Sequence, residues 1–173
     1  MKAVYLSVLA TLLLTLTVGA AESPIADSLG GKLVAVQGKR LAPFDAKQLE
    51  QTKYFAVYFS AQWCPPCRAF TPKLVEFYNR IKPQHPEFEL IFMSRDYDEA
   101  AMLSYMVDYK MPWPAVKFAR VADVKKLNQH AGKGIPCLVF IDANGEVLSH
   151  SYVDGKYVGP GKVLNDIEAT LRR

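Results

Sequence analysis

A chain of 173 residues, half of them hydrophobic, has enough apolar material for one globular domain with a core of its own, which sets aside a disulfide-stapled miniature. Lys and Arg exceed Asp and Glu by four, but the excess is spread along the chain rather than gathered in one basic stretch, so nothing points to nucleic acid. Three cysteines are too few, and odd in number, for a disulfide framework; one pair plus one leftover thiol is the simplest partition.

In chain order, Met1-Lys2 precedes an apolar run from Ala3 to Val18 that closes on Gly19-Ala20-Ala21. That order reads as a secretory signal peptide over residues 1–21, cleaved after Ala20 or Ala21, with an uncleaved membrane anchor as the rival reading. Cleavage predicts a protein in a bacterial periplasm or outside the cell, touching a membrane only if the leader is retained. Residues 22–31 read as a short irregular arm, and residues 32–173 as one domain.

Within that domain strand-like and helix-like segments alternate. Lys32 to Val36 and Arg40 to Phe44 read as extended pieces about a turn at Gln37-Gly38-Lys39, and Asp45 can cap a short helix carrying Leu49. Tyr54 to Ser60 is apolar on both faces, as a central buried strand is. From Pro65 to Lys82, Phe70, Leu74, Phe77 or Tyr78, and Ile81 recur at helical spacing; Pro65 suits the first turn, Pro72 predicts a kink, and Pro83 marks the stop. Phe88 to Met93 is the next strand, followed by a helix capped by Asp96 or Asp98 with Met102, Met106 and Tyr109 inward. Met111 to Pro114 is loop, Ala115 to Phe118 extended, and a helix with Val121, Val124 and Leu127 closes at Gly132 and Gly134. Cys137 to Ile141 and Val147 to His150 flank Asp142-Ala143-Asn144-Gly145, a hairpin signal. Asp154 to Tyr157 and the Gly159-Pro160-Gly161 cluster read as loop, and Val163 or Leu164, Ile167 and Leu171 as the stripe of a last helix. A mixed sheet covered by helices follows from this order, an α/β fold.

The chemistry-bearing segment is Trp63-Cys64-Pro65-Pro66-Cys67. Disulfide exchange needs a thiolate that attacks and a second thiol near enough to release the mixed disulfide. If Cys64 caps the helix, its dipole and the amides of Cys67 and Arg68 favour the thiolate, which makes Cys64 the nucleophile and the more enclosed Cys67 the resolving thiol. Pro65 and Pro66 carry no N–H, so the Cys64 thiolate is expected to be stabilised moderately: below a free cysteine in pKa, short of a strong oxidase.

The run from Tyr58 to Pro72, Tyr-Phe-Ser-Ala-Gln-Trp-Cys-Pro-Pro-Cys-Arg-Ala-Phe-Thr-Pro, resembles the active-site segment of the tryparedoxin and nucleoredoxin branch of the thioredoxin superfamily, and Lys110-Met111-Pro112-Trp113 resembles a second segment of that branch. The resemblance covers roughly residues 33–150. It implies a thioredoxin fold, a central mixed β-sheet flanked by helices on both faces, with the helix kink at Pro72 and a cis bond at Ile135-Pro136 against the cysteines. Ile135 would then offer its backbone to an extended substrate segment. It also implies that Trp63 is an exposed platform beside the site, and that the protein reduces disulfides without a cofactor. Two departures limit it. Tyr58 stands where thioredoxins proper carry a buried acid that assists proton transfer. Arg95 and Tyr97 stand where tryparedoxins carry a tryptophan and a glutamate that engage a polyamine thiol, so that specificity does not transfer.

The resulting reading is an exported thiol-disulfide oxidoreductase exchanging disulfides with protein thiols and disulfides, as a reductant recharged by a membrane-embedded electron donor. An oxidase or isomerase, and a redox-idle binding module or chaperone on the same fold, are the alternatives. No metal is expected, because Cys137, His85, His130 and His150 form no second close pair beside Cys64 and Cys67. Cys137, at the head of an apolar strand, reads as a small buried hydrophobe, with a third reactive thiol as the sharper alternative.

Overall fold

The computed structural model describes residues 23–172; the leader read over residues 1–21 lies outside them. Among the described residues nine strands and five α-helices follow one another. A short helix α1 (Pro24–Ser28) leads into β1 (Leu33–Gln37), β2 (Arg40–Phe44) and, after a 3₁₀ turn at Ala46–Leu49, β3 (Tyr54–Ser60). Then come α2 (Pro65–Ile81), β4 (Phe88–Ser94), α3 (Glu99–Asp108), β5 (Ala115–Val116), a second 3₁₀ stretch at Phe118–Asp123 and α4 (Lys125–Asn128). The chain closes with β6 (Cys137–Asp142), β7 (Val147–His150), β8 (Tyr152–Val153), β9 (Lys156–Tyr157) and α5 (Pro160–Leu171).

Seven strands form one mixed sheet in the order β2-β1-β5-β4-β3-β6-β7. β3 lies inside it between β4 and β6, parallel to β4 and antiparallel to β6, in the registers Val57↔Ile91 and Val57↔Val139. Successive residues of a strand face opposite sides, and the core divides accordingly. Ala56, Tyr58, Leu90, Phe92, Leu138 and Phe140 pack under α2, α3 and α5. Phe55, Val57, Phe59, Ile91, Val139 and Ile141 pack under α1 and α4. Helices therefore cover both faces, and strands buried on both sides read as unbroken apolar runs. Each fully buried Phe, Leu or Ile side chain is worth about 1.5–3 kcal/mol relative to exposure.

Several elements differ from the sequence reading. Pro24–Ser28, within the stretch read as an irregular arm, is helical: Ser23 caps it by accepting the Ala26 N–H at 3.2 Å, and Ile25 and Leu29 are completely buried. A single turn is too short to display a period. The helix expected around Val121 to Leu127 is broken at Val124 into a 3₁₀ stretch and one α-turn, neither with a side-chain cap. Tyr152–Val153 pairs with Lys156–Tyr157 as a small hairpin where only loop chemistry was read. The inner face of α3 uses Tyr105 with Met102 and Met106, while Tyr109 is only partly buried. Trp113, in the segment read as loop, is fully buried edge-on to Tyr78.

Among the described residues no helix is long and apolar enough to cross a membrane. Among the same residues no group of three or more His, Cys, Asp or Glu side chains is placed to hold a metal ion.

Candidate active site

β3 delivers the chain to the end of the sheet, and Cys64 stops its extended course as the N-cap of α2. The Cys64 backbone is still extended (φ −91°, ψ 108°), and its sulfur accepts the Cys67 N–H at 3.3 Å, the hydrogen bond a serine or aspartate makes at other N-caps. Pro65 and Pro66 occupy the first turn, where a missing N–H leaves no helical bond unmade. Cys64 and Cys67 are joined in a disulfide with their Cα atoms 5.2 Å apart. Of the two amides expected at the sulfur, only that of Cys67 reaches it, since the Arg68 N–H bonds the Cys64 carbonyl at 3.1 Å. Cys67 is fully enclosed and Cys64 is 3% exposed, with Ala61 and Ile135 packed against the pair.

Two walls flank the disulfide. On one side the Ile135-Pro136 bond is cis, and the Ile135 carbonyl oxygen lies 3.7 Å from the Cys64 sulfur. The loop that carries it squeezes under Tyr152: a Cβ on Gly132 would stand 2.3 Å from that ring and 3.0 Å from the Cys137 sulfur. Tyr152 leans on Tyr157, whose hydroxyl donates to the Pro136 carbonyl at 3.0 Å. His150 closes the corner, accepting the Tyr152 N–H at Nδ1 at 2.9 Å, which leaves Nε2 to donate to the His130 carbonyl at 2.9 Å.

On the other side Trp63 is half exposed, its ring stacked on that of Tyr97 (centroids 5.7 Å apart) and its indole N–H donated to the Arg95 carbonyl at 2.9 Å. Behind it, Asp96 accepts the Gln62 N–H at 2.7 Å and the Ser94 hydroxyl at 2.8 Å. Burial pushes the Asp96 carboxyl above its ordinary pKa, against those two bonds, which act the other way. Asp98, not Asp96, caps α3, by accepting the Ala101 N–H at 2.7 Å. Of the pair Arg95 and Tyr97, only Tyr97 joins the Trp63 surface. Arg95 turns inward, over the Phe59 ring at 5.1 Å and onto the Asn128 side-chain oxygen at 3.1 Å.

Beneath the first turn of α2 lies a ring of buried hydroxyls. Ser60 contacts Tyr58 (2.9 Å) and Tyr105 (3.0 Å), and Thr71 contacts Tyr58 (2.9 Å), Tyr105 (2.5 Å) and the Cys67 carbonyl (2.9 Å). Each hydroxyl has one hydrogen, so these contacts cannot all be filled at once, and the ring must choose a sense. Burial, reinforced by Tyr105, raises the Tyr58 pKa far above its ordinary value, so the phenol stays protonated and cannot act as the base that thioredoxins proper keep at this place. Cys137 lies apart, in the core under α1 and α4, where burial pushes its thiol pKa up. That is the setting of a small hydrophobe.

The structure thus brings Cys64, Cys67, Trp63, Pro65, Pro66, Ile135 and Pro136 to one end of the sheet. Asp96, Tyr157 and the hydroxyl ring escaped the sequence reading. An Asp-x-Asp pair ahead of a helix holds one capping residue and leaves the other unexplained, and that was the available signal for Asp96.

A helix-capping disulfide facing an X-Pro loop, on a sheet of this order, defines a thioredoxin-fold protein. The sequence model of the thioredoxin-like family matches residues 51–147, more than half of the chain. Mouse nucleoredoxin is 39% identical over 144 residues, which are 83% of this chain and 30% of that protein. A probable nucleoredoxin from Arabidopsis thaliana is 42% identical over 97 residues, 56% of this chain and 16% of that protein. The chain therefore spans less than a third of the length of either relative. Among solved structures, a mutant tryparedoxin-I superposes with a TM-score of 0.61 at 33% identity, covering 83% of this chain and 93% of its own. Native tryparedoxin I from Crithidia fasciculata gives 0.59 at 38% identity, covering 72% and 84%. The chain belongs to the thioredoxin-like family, in its tryparedoxin and nucleoredoxin branch.

Proposed function

We propose that this protein is an exported thiol-disulfide oxidoreductase that exchanges disulfides with protein substrates and runs as a reductant. The observation that carries the reading is the Cys64–Cys67 disulfide at the start of α2, with the Cys64 sulfur accepting a helix amide beside the Ile135 carbonyl. In the reduced pair, the Cys64 thiolate attacks one sulfur of a client disulfide; a Cys64–client bond forms and the other client sulfur leaves as thiolate. Cys67, once deprotonated, attacks Cys64, re-forms the disulfide and releases the second client thiolate. Two electrons pass to the client. Ile135 lends its backbone to an extended client segment, and Trp63, Pro65 and Pro66 shape the approach.

The apolar run from Ala3 to Val18 supports export to a periplasm or beyond the cell. In an oxidising compartment a reductant must itself be re-reduced, and a membrane-embedded dithiol donor meets that need. The family resemblance supports the direction of flow; each 30 mV of potential is worth about 1.4 kcal/mol, so loop contacts can set it.

Insulin reduction tests the activity. Wild type is expected to turn over with an added reductant, Cys64→Ser to lose turnover altogether, and Cys67→Ser to stall as a mixed disulfide visible by mass. Retained turnover in Cys64→Ser would remove the assignment. Equilibration with glutathione tests the direction: a potential near −270 mV, about that of thioredoxin, supports a reductant, and one near −120 mV an oxidant. N-terminal sequencing of the protein recovered from the cell envelope tests export, with a start at Ala21 or Glu22 expected.

A further inference from the structure

A groove of about 400 Å³ lies between α2 and α5. Pro66, which lies between the two cysteines in sequence, and Pro136, next to Ile135 whose carbonyl oxygen is 3.7 Å from the Cys64 sulfur, both line it, so it borders the site. Pro66, Phe70 and Lys73 line it along one face of α2, at helical spacing. Tyr157, Pro160 and Leu164 form the opposite wall, and the Tyr157 ring is fixed there by its bond to the Pro136 carbonyl at 3.0 Å. Among the described residues that line it, only Lys73 carries a charge, and it forms no ion pair among them. The depression on the Trp63 side is of another kind, lined by Gln62, Arg68 and Asp96.

Resting on the reading as a protein-disulfide exchanger, we infer that this groove selects the client: it takes an extended segment in which an apolar side chain lies next to the reacting cysteine and an acidic residue follows beyond it. The spacing comes from the helix. Pro66 to Lys73 is seven residues, about 10 Å at about 1.5 Å each. An extended chain covers that distance in about three residues, at about 3.3 Å each. The apolar side chain therefore enters between Phe70 and Tyr157, one or two residues from the cysteine, and the carboxylate meets Lys73 three residues from it.

The test uses the full mature chain and disulfide-linked peptide dimers. One set carries Phe and Asp at those spacings on the C-terminal side of the cysteine, a second set on the N-terminal side, and control dimers carry Gly for Phe or Lys for Asp. Hydroxyethyl disulfide, too small to occupy the groove, reports the sulfur chemistry alone. The reading is the ratio of kcat/KM for each dimer to that for hydroxyethyl disulfide. In one of the two orders this ratio is expected to fall about tenfold when Phe becomes Gly. It is expected to fall about threefold when Asp becomes Lys, the scale of an exposed ion pair. Lys73→Glu, an exposed substitution on α2, is expected to reverse the Asp-over-Lys preference, and Tyr157→Ala to erase the Phe-over-Gly preference. Equal ratios for all dimers in both orders, with hydroxyethyl disulfide still reduced, would overturn the groove while leaving the exchange reaction standing. Failure of wild type to reduce hydroxyethyl disulfide would remove the exchange reading and the groove with it.

Discussion

The two walls that flank the disulfide are held by different physics. The Trp63 wall is polar: a buried carboxylate, Asp96, gathers the Gln62 amide and the Ser94 hydroxyl, and the exposed Trp63–Tyr97 stack rides on the turn so fixed. The Pro136 wall is steric: Gly132 lets the loop pass beneath Tyr152, and Tyr152, Tyr157 and His150 lock it by ring contact and hydrogen bonds to the backbone. A carboxylate responds to its protonation state and to a neutral isostere, whereas a close approach fails at the first added methyl. The site is thus adjustable on one side and intolerant on the other.

The largest effect expected from breaking this contrast is at Gly132. Gly132→Ala forces the Tyr152 ring aside, and overpacking of this kind costs about 1–3 kcal/mol. Urea unfolding measures the loss, and Gly132→Ala should also reduce insulin more slowly, because the displaced ring releases Tyr157 from Pro136. An unchanged midpoint would mean that Tyr152 swings out freely and the wall is not steric. Asp96→Asn removes the charge and puts an amide N–H where an acceptor is needed, at a cost of about 1–2 kcal/mol by the same measurement.

Titration sharpens the comparison. The folded Asp96 pKa is raised above its unfolded value, so its contribution to stability is complete below the unfolded pKa and is lost as pH rises through the folded pKa. Wild type should therefore gain on Asp96→Asn as pH is lowered through that range, whereas the Gly132→Ala deficit should not respond to Asp96 at all. Unfolding curves for the three proteins across the acid range check both. The smallest effect is at Tyr97, 80% exposed: Tyr97→Ala should cost about 0.5–1 kcal/mol at most and show chiefly as a red shift of Trp63 emission once the stack is gone.

Legibility followed the range of the interactions. Tyr54–Ser60, Pro65–Ile81 and the Cys64 cap were readable because period, proline placement and capping act within one turn or one strand. The Asn144-Gly145 turn was equally local; Gly145 adopts φ +95° and Asp142 accepts both the Asn144 and Glu146 amides at 2.9 Å. Asp96 was misjudged as a possible cap because its partner Gln62 is 34 positions away, and Ser60 and Tyr105, 45 apart, carry no mark of meeting in one hydroxyl ring. α1 and the β8–β9 hairpin are too short to show a period, and each is held by distant contacts: Ile25 bonds the Ala143 carbonyl at 3.2 Å, and Tyr157 bonds Pro136.

By itself the sequence determined which helix begins with a cysteine pair, which strand leads into it, and that both faces of that strand are buried, since these follow from residue order and local sterics. Only the tertiary structure decided what surrounds the pair: a carboxylate and two aromatic rings on one side, a glycine-threaded loop pinned by tyrosines on the other, and an apolar groove that borders the site. Those neighbours come from separate elements and meet only because the sheet sets β3, β4 and β6 side by side and brings their loops to one end.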